Sequence, residues 1–120
     1  MSDTRSVIDN YIAMWNETDP DRRRRLVAET VTEDAGYVDP MMTGDGVGGI
    51  DAMIAAAQQQ FPGHSFTLSV RPDVHHDRVR FSWSLSADGS EPIAAGTDFA
   101  TIAEDGRLSH VTGFLDSAGV

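Results

Sequence analysis

The sequence predicts an α+β domain, with helices packed on one face of a curved antiparallel sheet. Two observations carry this reading. Apolar residues recur every three or four positions through the first half of the chain and alternate with polar ones from residue 64 onward. The alternating half is also punctuated by Asp88-Gly89 and Asp105-Gly106, dipeptides that favour hairpin turns.

Residues 4 to 17 read as a helix. Val7, Ile8, Tyr11, Ile12, Met14 and Trp15 form one apolar stripe along it. Tyr11 lies on that stripe, so its hydroxyl heads inward and needs a partner there. Asp19-Pro20 starts a second helix, with Asp19 as N-cap and Pro20 at the first helical position. That helix runs to about Glu29 and turns Leu26 and Val27 inward. Thr32 to Gly36 reads as a break. Tyr37-Val38-Asp39-Pro40 follows as a short extended run. A residue before proline is pushed out of the helical region, so Asp39 is held extended. Alternation then puts Tyr37 and Asp39 on one face.

Met41 to Gly49 holds Gly44, Gly46, Gly48 and Gly49 but no Gly-Lys-Ser/Thr ending. It therefore reads as a mobile pocket rim and not as a phosphate cradle. Ile50, Met53, Ile54, Ala57 and Phe61 mark a third helix, stopped by Pro62-Gly63. Beyond it Phe66, Leu68 and Val70 alternate with polar residues, and so do Val79, Phe81, Trp83 and Leu85. Ile93 to Ala103 and Leu108 to Asp116 complete a four-stranded antiparallel meander.

The 120 residues fit a single domain, 1–120, with neither repeat nor linker. A net charge of −10 argues against nucleic acid, which needs clustered cations. The one basic run, Arg22 to Arg25, points all round its helix and reads as a solvated helix start. Without cysteine the chain forms no disulfide and no thiolate site. No apolar run approaches the roughly 20 residues that span a bilayer, and the first residues lack a signal-peptide layout. A soluble cytoplasmic protein is expected. Neither metal nor cofactor is expected either. His75 and His76 are adjacent on a strand and would face opposite sides; His110 shares the parity of Phe114 and Asp116 and reads either as a proton carrier or as a satisfied or surface histidine.

Asp98 is the sharpest chemical signal. Its same-face neighbours are Ala94, Gly96, Ala100 and Ile102, small or apolar residues that leave room above the strand. An unpaired buried carboxylate costs several kcal/mol, so such an acid is protonated, paired or turned to water. It reads either as an outward solubilising acid or as a cavity acid of raised pKa. Asp39 reads either as a local turn acceptor or as a pocket acid. Tyr11 alone reads as core. Together the three suggest one shared pocket.

The order helix, helix, Asp-Pro strand, helix, four strands resembles the NTF2-like superfamily, the cone-shaped fold of SnoaL-like proteins and ketosteroid isomerases. The cues are Tyr11-Ile12-Ala13-Met14-Trp15-Asn16, Tyr37-Val38-Asp39-Pro40, Gly96-Thr97-Asp98-Phe99 and Asp105-Gly106-Arg107-Leu108. The resemblance implies a homodimer enclosing a pocket for a small hydrophobic molecule. At Tyr11, Asp39 and Asp98 the chain is similar to ketosteroid isomerase, which makes Asp39 the base and Tyr11 and Asp98 the donors to an enolate oxygen. Trp15, Tyr37, Met42, Phe61, Trp83, Val111 and Gly113 would then be the substrate-binding residues. Tyr37 and Met41-Met42 would narrow the mouth against a steroid.

Other branches fit less closely. An epoxide-hydrolase-like site needs an arginine where Gly96 stands. A SnoaL-type polyketide cyclase pairs a last-strand acid, here Asp116, with a histidine that residues 92 to 103 lack. The implied activity is cofactor-independent proton transfer on a small carbonyl compound, giving isomerisation or ring closure. The alternative is a non-catalytic ligand-binding or dimerisation module.

Overall fold

The computed structural model describes residues 4–116. Helix α1 spans Thr4–Asn16 and buries Val7, Ile8, Tyr11, Met14 and Trp15 along its predicted stripe. Helix α2 spans Pro20–Thr30, and its cap is the expected one. The Asp19 carboxylate accepts the Arg22 N–H at 2.9 Å, satisfying a donor that the first helical turn leaves unpaired.

Strand β1, Val31–Val38, follows α2 directly. The expected break over residues 32–36 is part of this strand. The polar pair Glu33-Asp34 that suggested a break sits where β1 shifts register against its neighbour, between Val31 and Gly36. The glycine-rich segment also differs from expectation. It forms β2, Thr43–Asp45, and the first turn of α3, Gly46–Gln60. Gly44 is needed for a close approach, since a Cβ there would stand 3.1 Å from the Gly49 carbonyl oxygen. Gly46 takes a φ of 71°, a left-handed conformation that glycine adopts freely.

The meander is present as β3 His64–His75, β4 Arg78–Ala87, β5 Ala94–Ile102 and β6 Leu108–Leu115. It belongs to a larger sheet of six strands ordered β2-β1-β6-β5-β4-β3. The sheet is mixed, because β1 pairs parallel to β6 while all other neighbours are antiparallel. Register shifts in β3 between Leu68 and Asp73 mark irregularities of the kind that bend a sheet. His76 and Asp77 form the β3–β4 turn, with His76 at a φ of 50°. Among the described residues no helix is long and apolar enough to cross a membrane.

The core lies between the helices and the concave sheet face. Ile8, Val27, Ile54 and Leu108 are fully buried there, with Phe81, Val79 and Ala100 from the sheet. The arginine run departs from its solvated reading at one position. Arg22, Arg24 and Arg25 are exposed, but Arg23 is buried between the helices. Its Nε donates to Asp51 Oδ1 at 2.8 Å and its Nη1 to Gln58 Oε1 at 3.1 Å. Gln58 in turn donates to the carbonyls of Trp15 and Glu17, at 3.0 and 2.8 Å. Three helices are thereby tied at the point where Trp15 leaves α1 for the interior.

Candidate active site

A cavity of about 110 Å³ opens between α1, the end of β1 and the concave sheet. By the volume one water needs, it holds on the order of ten non-hydrogen atoms. Rings dominate its wall. Trp15 packs against Tyr37 at 5.7 Å between centroids and against Phe66 at 5.3 Å, and Phe66 packs against Trp83 at 5.3 Å. Into this apolar space project Tyr11, Tyr37, Asp39 and Asp98, and among the described residues no basic side chain lines it.

Asp98 is placed by strand parity. It lies on the inner face of β5 with Gly96 and Ala100 and is 2% exposed. Its Oδ2 accepts the Tyr11 hydroxyl at 3.2 Å, and its Oδ1 accepts the Trp83 indole N–H at 3.0 Å. Trp83 reaches it because its cross-strand partner is Gly96. A Cβ on Gly96 would collide with the indole ring and stand 2.7 Å from the Phe114 carbonyl oxygen.

Asp39 is placed by a turn. Its Oδ1 accepts the N–H groups of Met41 and Met42 at 2.8 and 2.9 Å, and its own N–H donates to the Met42 carbonyl. Its Oδ2 accepts the Tyr37 hydroxyl at 2.6 Å, a short contact to a carboxylate. Asp39 is thus a local turn acceptor and a cavity residue at once.

The parallel pairing of β1 with β6 brings the two acids together. Val38 pairs with Thr112, which lays Asp39 beside Gly113, and Gly113 is the β6 partner of Asp98. A Cβ on Gly113 would stand 2.9 Å from Asp98 Oδ1, 3.2 Å from Asp39 Cβ and 3.2 Å from the Tyr37 hydroxyl. The Asp98 carboxylate, the Tyr37 hydroxyl and the Cβ of Asp39 thus meet around Gly113, close enough for the Asp39 charge to act on Asp98.

Burial pushes the Asp98 carboxyl up to about 6; the hydrogen bonds from Trp83 and Tyr11 oppose this, and the charge of Asp39 adds to it. Burial also raises Tyr11 well above its ordinary value, with the Asp98 charge second. Tyr37 is raised by burial, then by Asp98, then by its bond to Asp39 and that acid's charge. Both phenols therefore keep their protons at neutral pH and act as donors.

One prediction follows for stability. The folded chain holds the Asp98 proton up to about pH 6, and the unfolded chain releases it near 3.8. The proton therefore favours folding below 3.8, and that advantage disappears as pH rises through 6, a change on the order of 3 kcal/mol. Urea denaturation at pH 4 to 7.5 is expected to show this decline, with Asp98→Asn flattening it. An equal slope in the variant would mean that another group is responsible.

Of the residues singled out from sequence, Tyr11, Trp15, Tyr37, Asp39, Met42, Phe61, Trp83 and Asp98 all line the cavity. Val111 does not: it is 2% exposed and packs in the core, paired with Tyr37 on one side and Ala100 on the other. Gly113 contributes only the absence of a side chain between the acids. Phe66 and Leu115 line the cavity and were not anticipated. Phe66 had a signal, an aromatic on the inward parity of β3. The donor role of Trp83 also had one, since Trp83 and Asp98 share a face with Gly96 between them. His110 is exposed and lies outside the cavity lining, which favours the surface reading over the proton carrier.

A bent sheet cupping three helices is a fold shared with NTF2-like structures. The SnoaL-like domain model matches residues 8–111, and the chain belongs to that family. It is similar to a SnoaL-like protein of Agrobacterium tumefaciens that carries the provisional name of isomerase, with 44% identity, 95% of this chain and 98% of that one covered, and a TM-score of 0.90. Two more distant structures share the fold. One is a protein of Catenulispora acidiphila with a ketosteroid isomerase-like fold, in complex with trimethylamine, at 16% identity, 95% and 88% coverage and a TM-score of 0.75. The other is from Jannaschia, provisionally named a SnoaL-like polyketide cyclase, at 18% identity, 97% and 90% coverage and a TM-score of 0.72. No curated protein matches the sequence.

Proposed function

We propose that this cavity transfers a proton next to the carbonyl of a small apolar compound, giving isomerisation or ring closure with groups supplied by the chain alone. The observation that carries the reading is Asp98, a carboxyl nearly inaccessible to water, bonded to a phenol and facing a second acid inside a ring-lined space. A carboxyl raised to about 6 is poised between giving and taking a proton near neutrality. The phenols supply protonated donors where an enolate oxygen would gain charge. The cavity volume favours a one-ring substrate over a steroid.

The test is hydrogen–deuterium exchange at carbon. Cyclohexenones and small β,γ-unsaturated ketones incubated with the protein in D₂O should exchange their α-hydrogens faster than in buffer, as read by proton NMR. Ligand-induced shifts with no exchange above buffer for any of them would leave a binding module in its place.

The same reading includes a homodimer formed through the outer sheet face. Phe99 and Phe114 stand 42% and 60% exposed there, on adjacent strands, next to the hydrogen-bonded pair Ser82 and Thr97. Two large exposed rings on one face suit a second copy of the chain. Sedimentation should give twice the chain mass, and Phe114→Glu should give a monomer; a monomeric native protein would exclude this arrangement.

A further inference from the structure

The geometry points to Asp98 as the group that takes the substrate proton, with Asp39 a positioning residue that fixes Tyr37 and the cavity rim. This rests on the proton-transfer reading and reverses the roles that the ketosteroid isomerase resemblance implies.

The two carboxylates are committed to different degrees. Asp39 accepts three hydrogen bonds, two of them from backbone N–H groups of its own turn. Its Oδ1 is filled by two bonds that shape the loop carrying Met41 and Met42, both of which line the cavity, and its Oδ2 is held by the short bond from Tyr37. Asp98 accepts two bonds, one at each oxygen, so each oxygen keeps acceptor capacity. Water access differs too. Asp39 is half-buried at the mouth, whereas Asp98 is sunk in the apolar end. A carboxylate stripped of water is the stronger base, because its charged form is the one that burial penalises.

The groups facing Asp98 are Tyr11 from α1, Tyr37 from β1, Asp39 from the loop after it, and Trp83 from β4; β6 faces it with Gly113, which carries no charge. In the step itself, a carboxylate oxygen of Asp98 bonds to the hydrogen on the carbon next to the carbonyl. The C–H electron pair becomes the C=C bond of an enolate, and the carbonyl π pair moves to oxygen. No oxidant or reductant is needed. As Asp98 becomes neutral, the Tyr11 hydroxyl that bonded it is the nearest phenol able to turn to the new oxyanion. Protonated Asp98 then returns its proton to a different carbon of the enolate.

The test uses 5-nitrobenzisoxazole, a small apolar probe that opens when a base removes its one ring C–H adjacent to nitrogen. The N–O bond breaks, and the cyanophenolate product is read by absorbance. The native protein should accelerate opening, with the rate rising through a midpoint near pH 6. Asp98→Asn should lower the rate at least about 100-fold. Asp39→Asn should lower it less than about tenfold and move the midpoint downward, because the negative charge facing Asp98 is gone. Trp83→Phe should move the midpoint upward by removing a donor to the ionised form; it keeps the assignment testable should Asp98→Asn fail to fold. An active native protein whose rate is lost in Asp39→Asn but kept in Asp98→Asn, or whose midpoint ignores Trp83→Phe, overturns the assignment alone. A native protein that neither opens the probe nor exchanges ketone hydrogens overturns the proton-transfer reading and the assignment with it.

Discussion

Arg23→Ala is expected to lower the unfolding free energy by about 3–5 kcal/mol, while Arg25→Ala two positions on changes it by no more than about 0.5 kcal/mol. The two substitutions remove the same charge from the same run. They differ in what remains. Arg23 and Asp51 are 6% and 7% exposed. Taking away the guanidinium strands the Asp51 carboxylate in the interior, with only the distant, exposed Arg24 Nε at 3.9 Å. It also frees the Gln58 side-chain oxygen that Arg23 held. For a chain of this length, about 4 °C of melting temperature corresponds to each kcal/mol, so the loss should approach 12–20 °C in a thermal scan. Replacing both partners by apolar residues, Arg23→Met with Asp51→Leu, should recover most of it, because no charge is then left unpaired. An Arg23→Ala loss no larger than that of Arg25→Ala would mean that the pair is hydrated in solution.

The same four arginines mark where sequence reasoning reached its limit. Charge counting treats the run as one object, yet successive helical residues point about 100° apart, so one of four can face inward while the rest are solvated. The partner was visible in principle. Asp51 and Gln58 lie seven residues apart, two turns of α3, and so share a face. Elements defined by local rules were legible: the α1 stripe, the Asp19 cap, the alternation of β3 to β6. The pairing of β1 with β6 was not. It joins residues some seventy positions apart and leaves no periodic trace in either strand.

That pairing builds the site. The helical stripe turned Tyr11 inward and strand parity put Tyr37 beside Asp39, but parity only grouped Asp98 with Gly96 and Ala100 and left open whether that face was the inner one. Only the parallel register lays Asp39 next to Gly113 and so opposite Asp98. The turn that Asp39 makes with Met41 and Met42 was legible as one alternative, but sequence could not tell that both alternatives hold together.

Gly96→Val is expected to cost upwards of about 3 kcal/mol and to disconnect Trp83 from Asp98. The position lies in the middle of β5, where a β-branched residue ordinarily suits a strand. Here the first side-chain atom would collide with the Trp83 indole and crowd the Phe114 carbonyl oxygen. The backbone between β5 and β6 is fixed by its pairing, so the indole has to move. Once it moves, Asp98 loses the donor at its Oδ1 and keeps only Tyr11. A buried carboxyl with fewer bonds to its charged form titrates higher, so the Asp98 midpoint should rise above about 6 in the variant. Trp83 should meanwhile show red-shifted fluorescence as its ring leaves the pocket for water. Measured together, the two readouts separate packing from chemistry. A destabilised variant with an unmoved Asp98 midpoint would mean that the indole stays bonded and the strand yields instead. A raised midpoint with the ring displaced would show that a glycine, two residues from the acid, sets the basicity of the cavity.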